Sequence, residues 1–254
     1  MKSFFSKKSI LRTMAVAAVC MLGTGNAQAQ EFTIQGDFVS SYVWRGIYQG
    51  GAASFQPTLG FSVGNFSLTA WGSTSLSESN KEIDLTAAYK FGEAGPTLSV
   101  ASLWWNGQAD VANGELTNDY FHFKSGDTGH HFEAGLAYTL PVEKFPLSIA
   151  WYTMFAGADR KMTDKGEEKQ AYSSYVELNY PFSVKGVDLN ATCGVVPYET
   201  PQYNVNGFAV TNFALKATKA INFNDKFSLP IFVQAIWNPR LEDAHLVFGV
   251  TLRP

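Results

Sequence analysis

From Phe32 onward the chain alternates apolar and polar residues, the period of a β-strand whose two faces meet different surroundings. In the first segment Phe32, Ile34, Phe38, Tyr42 and Trp44 share one face, while Thr33, Gln35, Asp37, Ser41 and Arg45 share the other. The second sets Phe55, Pro57, Leu59, Phe61 and Val63 against Gln56, Thr58, Gly60 and Ser62, and the third Phe66, Leu68 and Ala70 against Ser67, Thr69, Trp71 and Ser73. In the fourth, Ile83, Leu85, Ala87, Tyr89 and Phe91 alternate with Glu82, Asp84, Thr86, Ala88 and Lys90. Eight further segments follow near 96–106, 130–140, 146–156, 172–180, 187–196, 208–220, 227–238 and 244–253, which makes twelve. Pro57 and Pro230 fall inside segments, where each removes a ladder hydrogen bond, so a bulge is expected at both.

A soluble sandwich would alternate in the same way. Three features separate a membrane barrel from it. The connections at Gly64-Asn65, Gly92–Gly95, Val142–Lys144, Val184–Gly186 and Asn222–Asp225 are short, whereas those between them are mostly longer and more polar, above all 107–129 and 157–171. Short turns at one end and long loops at the other suit an outer-membrane barrel. Strands of about ten residues cross a bilayer when tilted. Aromatics sort by strand end, with Trp44, Phe55, Trp104, Phe155, Tyr172 and Trp237 at the loop end and Phe66, Tyr89, Phe91, Tyr138, Tyr180 and Phe227 at the turn end, as two interfacial girdles would. The expected fold is all-β: a transmembrane, antiparallel, up-and-down barrel of twelve strands.

Residues 1–29 read as a secretory signal peptide, with a basic start, an apolar core from Met14 to Leu22 and an Ala27-Gln28-Ala29 cleavage signal. Residues 30–254 are then one barrel domain. Losing Lys2, Lys7, Lys8 and Arg12 leaves 15 Lys and Arg against 22 Asp and Glu, so the net charge moves from −3 to −7 and a nucleic-acid partner is excluded. Only Cys193 remains, so no intrachain disulfide forms. An aromatic content of 15% excludes a disordered chain, and a charged fraction of 16% is low for an ordinary soluble domain, which adds to the membrane reading.

The charged positions share one parity. Asp37, Glu82, Asp84, Glu133, Glu177 and Asp188, with Arg45, Lys90 and Lys216, all oppose the aromatic face, and Tyr152 shares their side. Arg or Lys facing lipid near the midplane costs about 2–4 kcal/mol, so this face is expected to line the interior. Arg45 is expected to join Asp37 and Glu82 or Asp84 in a lumenal cluster. Twelve strands about 4.8 Å apart and tilted about 40° give a backbone diameter of roughly 24 Å and a narrow lumen. Loop 107–129 is long enough to fold in and constrict it. Six acids against three bases imply a mild preference for cations among small hydrophilic solutes or ions.

Catalytic chemistry is not evident. His130 and His131 are adjacent and point to opposite faces, so they do not chelate one metal together; His130 is expected at the solvated rim. The His-x-Ser pair of the outer-membrane phospholipases does not occur, nor does G-x-S-x-G, H-E-x-x-H or a phosphate-cradling loop. No catalytic residue, metal or cofactor is expected. The alternatives to a channel are a non-conducting structural or surface-binding barrel and, after it, a lipid-modifying enzyme.

The stretch from Asp37 to Gly46, then Gln56-Pro57, Trp71-Gly72-Ser73 and Glu82-Ile83-Asp84, resembles the opening of the TorF-like family of outer-membrane porins, and Trp151 with Phe155-Ala156-Gly157-Ala158-Asp159 is similar to its later pattern. The resemblance covers residues 37–90 most closely. It implies an exported bacterial outer-membrane barrel whose partners are outer-membrane lipid, small solutes and the barrel assembly machinery. Such barrels commonly end on an aromatic recognised during assembly, whereas this sequence ends Leu252-Arg253-Pro254.

Overall fold

The computed structural model describes residues 30–109, 116–124, 128–224 and 227–253, and the expected signal peptide lies outside them. Twelve strands form the wall: β1 (Gln30–Val39), β2 (Ser54–Val63), β3 (Phe66–Ser75), β4 (Lys81–Lys90), β5 (Thr97–Trp105), β6 (His130–Thr139), β7 (Ser148–Gly157), β8 (Ser174–Val184), β9 (Val187–Val196), β10 (Ala209–Asn224), β11 (Phe227–Asn238) and β12 (Asp243–Leu252). Each pairs antiparallel with its neighbours in sequence, and the sheet closes on itself. Closure runs through Gly36 to Val39 of β1 against Leu252 to Gly249 of β12. A closed sheet leaves no edge whose backbone groups lack partners, the condition for crossing lipid with strands.

The alternation sorts as expected. Ile34, Leu59, Leu68, Leu85, Val100, Leu136, Ile149, Leu215 and Phe248 are exposed on the outer face. Tyr89, Phe91 and Phe227 stand at its turn end, with Phe155, Tyr172 and Trp237 at the loop end. The turn between β8 and β9 is Lys185-Gly186, both with positive φ (50° and 74°), the two-residue form whose twist matches a hairpin.

Three expectations are corrected. First, the opening segment is not one strand through Arg45. It ends at Val39, bends at Ser40-Ser41, and a small hairpin (Tyr42–Trp44 with Ile47–Gly50) turns into the barrel. Trp44 therefore leaves the outer girdle and packs inside. Second, neither proline makes a bulge. Gly36↔Pro57 and Ala220↔Pro230 stay in register with their neighbours, because each missing donor falls where no ladder bond is made: β2–β3 pairing skips residues 56 and 57, and β11–β12 pairing starts at Ile231. The wall's bulges lie at Phe132/Glu133, Gly194/Val195 and Asn222/Asn224. Third, the described part of 107–129 that packs on the barrel does not constrict it. Tyr120 and Phe123 lie on the outer wall, against Trp104 and His130. These two share the parity of the outward Ile83, so the segment covers their polar atoms from outside.

Candidate functional site

The interior differs along its height. Towards the turns, Thr58, Ser62, Ser67, Thr69, Thr86, Asn190 and Thr192 face inward and remain half-buried, forming a polar vestibule. Towards the loops the space is filled. Tyr175, Met154 and Val196 are fully buried, and Tyr203 and Val205 nearly so.

The filling is built around Arg45. It occupies the hairpin turn with φ 50°, followed by Gly46 at φ 82°. The turn is wedged against β10 and β11: a Cβ on Gly46 would lie 1.9 Å from the Thr211 carbonyl oxygen, and Asn238 Nδ2 donates to the Gly46 carbonyl at 3.0 Å. From there the guanidinium donates to both oxygens of Glu133, at 2.7 and 2.8 Å, and to the Tyr203 hydroxyl at 2.7 Å. It also sits over the rings of Trp44, Tyr152 and Tyr175, 4.4–4.9 Å from their centroids. Paired, planar and stacked contacts of this kind are what a guanidinium supplies and an ammonium does not. Burial by itself would lower the Arg45 pKa, but Tyr203 and Glu133 beside it more than offset that, and the side chain stays charged. Burial likewise pushes the Tyr203 phenol well above its usual value.

Two further elements complete the plug. The segment around Tyr203 is pinched by a Thr200↔Val205 bridge, and its ring stacks on Trp44 at 5.6 Å. Ser173 joins Thr200 to Asp159, which accepts from the Ser173 amide at 2.8 Å. Below Arg45, Asn212 donates to the Tyr175 hydroxyl, Tyr175 donates to Glu177 at 2.8 Å, and Asn179 donates to the other Glu177 oxygen. A continuous polar chain thus links plug and vestibule.

Of the ten positions singled out from sequence, Asp37, Arg45, Glu82, Asp84, Glu133, Tyr152, Glu177 and Lys216 lie in the interior, in several groups rather than one, while Lys90 and Asp188 are exposed at the turn end. Arg45 meets Glu133 and Tyr152, not Asp37 or Glu82, and it does so from the hairpin rather than from a wall strand. Glu177 joins this group through Tyr175. Asp37 accepts from Gln35 at 3.3 Å, and Lys216 lies 3.8 Å over the Phe232 ring. Asp188 is at the turn rim, accepting from Ser183. Glu82 and Asp84 stand together on β4, beneath Tyr42 of the hairpin, whose phenol is pushed up by burial and by Glu82. His130 is not a solvated rim residue. It is fully buried on the outer side, its ring bonded to Ser102 Oγ and the Tyr120 carbonyl. Trp44, Tyr175 and Tyr203 were not expected in the site; the Arg45-Gly46 and Gly50-Gly51 pairs are the turn signals that mark an inward hairpin.

No family model matches the chain, and no curated protein matches its sequence. Among solved structures the chain is similar to an outer membrane channel from Pseudomonas putida F1, with 13% identity over 90% of this chain and 97% of that one and a TM-score of 0.43. It is also similar to the translocator domain of the autotransporter NalP from Neisseria meningitidis, with 12% identity over 96% and 94% and a TM-score of 0.39.

Proposed function

We propose that the protein is a bacterial outer-membrane channel for small hydrophilic solutes or ions, passive, with a mild preference for cations, held shut by its own hairpin. The observation that carries this reading is the division of the wall: an apolar, aromatic-rimmed exterior around an interior that holds the strand-borne carboxylates and a half-buried polar vestibule. A face built for lipid outside and water inside is what a conducting barrel requires. With Arg45 and Glu133 paired, Asp37, Glu82, Asp84, Glu177 and Asp188 remain against Lys90 and Lys216, which favours cations. The resemblance of residues 37–90 to TorF-like porins supports the same class, outer-membrane location and export by a leader. No bond-breaking step is part of this function.

A second reading, a non-conducting structural or surface-binding barrel, is favoured by the tight packing of Trp44, Arg45 and Tyr203 across the lumen. Planar bilayers separate the two. The intact protein is expected to conduct rarely, and a variant with residues 42–50 replaced by a Gly/Ser linker to give frequent, cation-selective steps. Silence from both proteins would favour the structural barrel, an anion-selective reversal potential would overturn the cation preference, and lipid hydrolysis would overturn the channel in favour of an enzyme.

A further inference from the structure

Between the inward hairpin and the wall of β2 to β5 lies a polar cavity of about 210 Å³, bordered by Tyr42, Gln49, Ser54, Ser73, Glu82 and Trp105. Its position follows from register: Glu82 pairs across β4 with Ser73 on one side and Trp105 on the other, so the three side chains rise together on the inner wall. The hairpin roofs it, held by Asn80 Nδ2 donating to the Gln49 carbonyl at 2.8 Å.

Glu82 is 2% exposed, yet neither of its carboxylate oxygens meets a donor at ordinary hydrogen-bond geometry, although Tyr42 and Trp105 stand beside it. Asp84 Oδ1 and Trp105 Nε1 likewise lack a partner at that geometry among the described residues. Buried carboxylates are normally paired or hydrogen-bonded, because leaving water without compensation is costly. Arg45 directs its guanidinium at Glu133 and Tyr203 instead, and Lys81, which also borders the cavity, has an exposed side chain that makes no ion pair with Glu82.

We propose that this cavity is a binding site for a small organic ammonium ion bearing hydroxyl or amide groups, with Glu82 as its charged floor. Charge selects a cation, since Glu82 lines the cavity and Asp84 follows it two residues along the same face of β4. Size selects a molecule, because about 210 Å³ equals the liquid volume of roughly seven waters at about 30 Å³ each. Lining selects an alkylammonium with polar substituents. Tyr42 and Trp105 border it with aromatic rings, the side chains to which such a cation is drawn, and Ser54, Ser73 and Gln49 offer hydroxyl and amide partners. A hard divalent ion takes six or more oxygen ligands, several of them charged, and no group of three or more metal-ligating side chains occurs among the described residues.

The site deepens the channel reading by naming a solute class, but its test does not depend on conduction. Ethanolammonium chloride is titrated calorimetrically into the full-length protein in detergent, with Trp fluorescence as a second readout. One saturable site is expected, weakened at least tenfold in Glu82→Gln and severalfold in Asp84→Asn, with ethylene glycol, its uncharged counterpart, giving no heat. Folding of each variant is checked by its gel migration with and without boiling, and Ser73→Ala, which removes a neutral contact only, is expected to weaken binding by less than Glu82→Gln. Equal binding by the parent and Glu82→Gln, or by ethylene glycol and ethanolammonium, overturns the proposal. Calcium chloride that binds more tightly and displaces ethanolammonium overturns the ammonium class. Binding without conductance in any variant counts against the channel alone, while conductance without binding counts against this site alone.

Discussion

Arg45 shows what a single side chain does in this barrel. Its ion pair with Glu133 is buried, with side-chain exposures of 12% and 6%. A buried pair adds little net stability compared with apolar packing, but removing one partner strands the other charge. Glu133→Ala is therefore expected to lower the unfolding free energy by about 3–5 kcal/mol in urea titrations, with Arg45→Met/Glu133→Leu recovering most of the loss. Full recovery by Arg45→Met alone in the presence of Glu133 would contradict this. Strand parity identified Glu133 as inward and charged. It did not identify the partner, which lies 88 residues away on a hairpin whose direction alternation does not describe.

Among the elements, the inward hairpin carries the most functional weight. Its two short strands cannot be distinguished by alternation from a continuation of β1, since Tyr42 and Trp44 keep the parity of Phe38. What turns it inward is contact: the Asn238 bond to Gly46 and the close approach of Gly46 to Thr211. Gly46→Ala meets both a positive φ and backbone within 1.9 Å, neither of which a flexible neighbour can relieve. The expected outcome is a hairpin lifted from β10, read as new protease cleavage between residues 42 and 50 and as more frequent channel opening. An uncleaved, silent Gly46→Ala protein would mean that this wedge does not hold the plug. The prolines teach a related lesson: the missing donor was legible at Pro57 and Pro230, but whether it costs a ladder bond depended on the neighbouring strand's register.

At the scale of the whole molecule, closure and the two-sided wall go together. Leu85 stands mid-strand on β4, outward and 40% exposed, while its neighbour Asp84 faces in. If the outer face meets lipid, Leu85→Arg is expected to lose about 2–4 kcal/mol of stability in bilayers. Thr86→Arg, one residue away on the inner face, should lose much less. Equal losses, measured by denaturant unfolding from liposomes, would speak against a membrane-spanning wall.

Strand number, the faces of each strand, the short-turn end and the two aromatic rings were all readable from the chain. Each residue's choice between apolar and aqueous surroundings is a local property with a period of two, and turns such as Lys185-Gly186 carry their own backbone demands. The inward hairpin, the Arg45–Glu133–Tyr203 centre, the cavity over Glu82 and the covering of His130 were decided only by the tertiary structure. They are pair contacts across tens to more than a hundred residues, set by stagger and loop packing, and parity alone allows many such pairings.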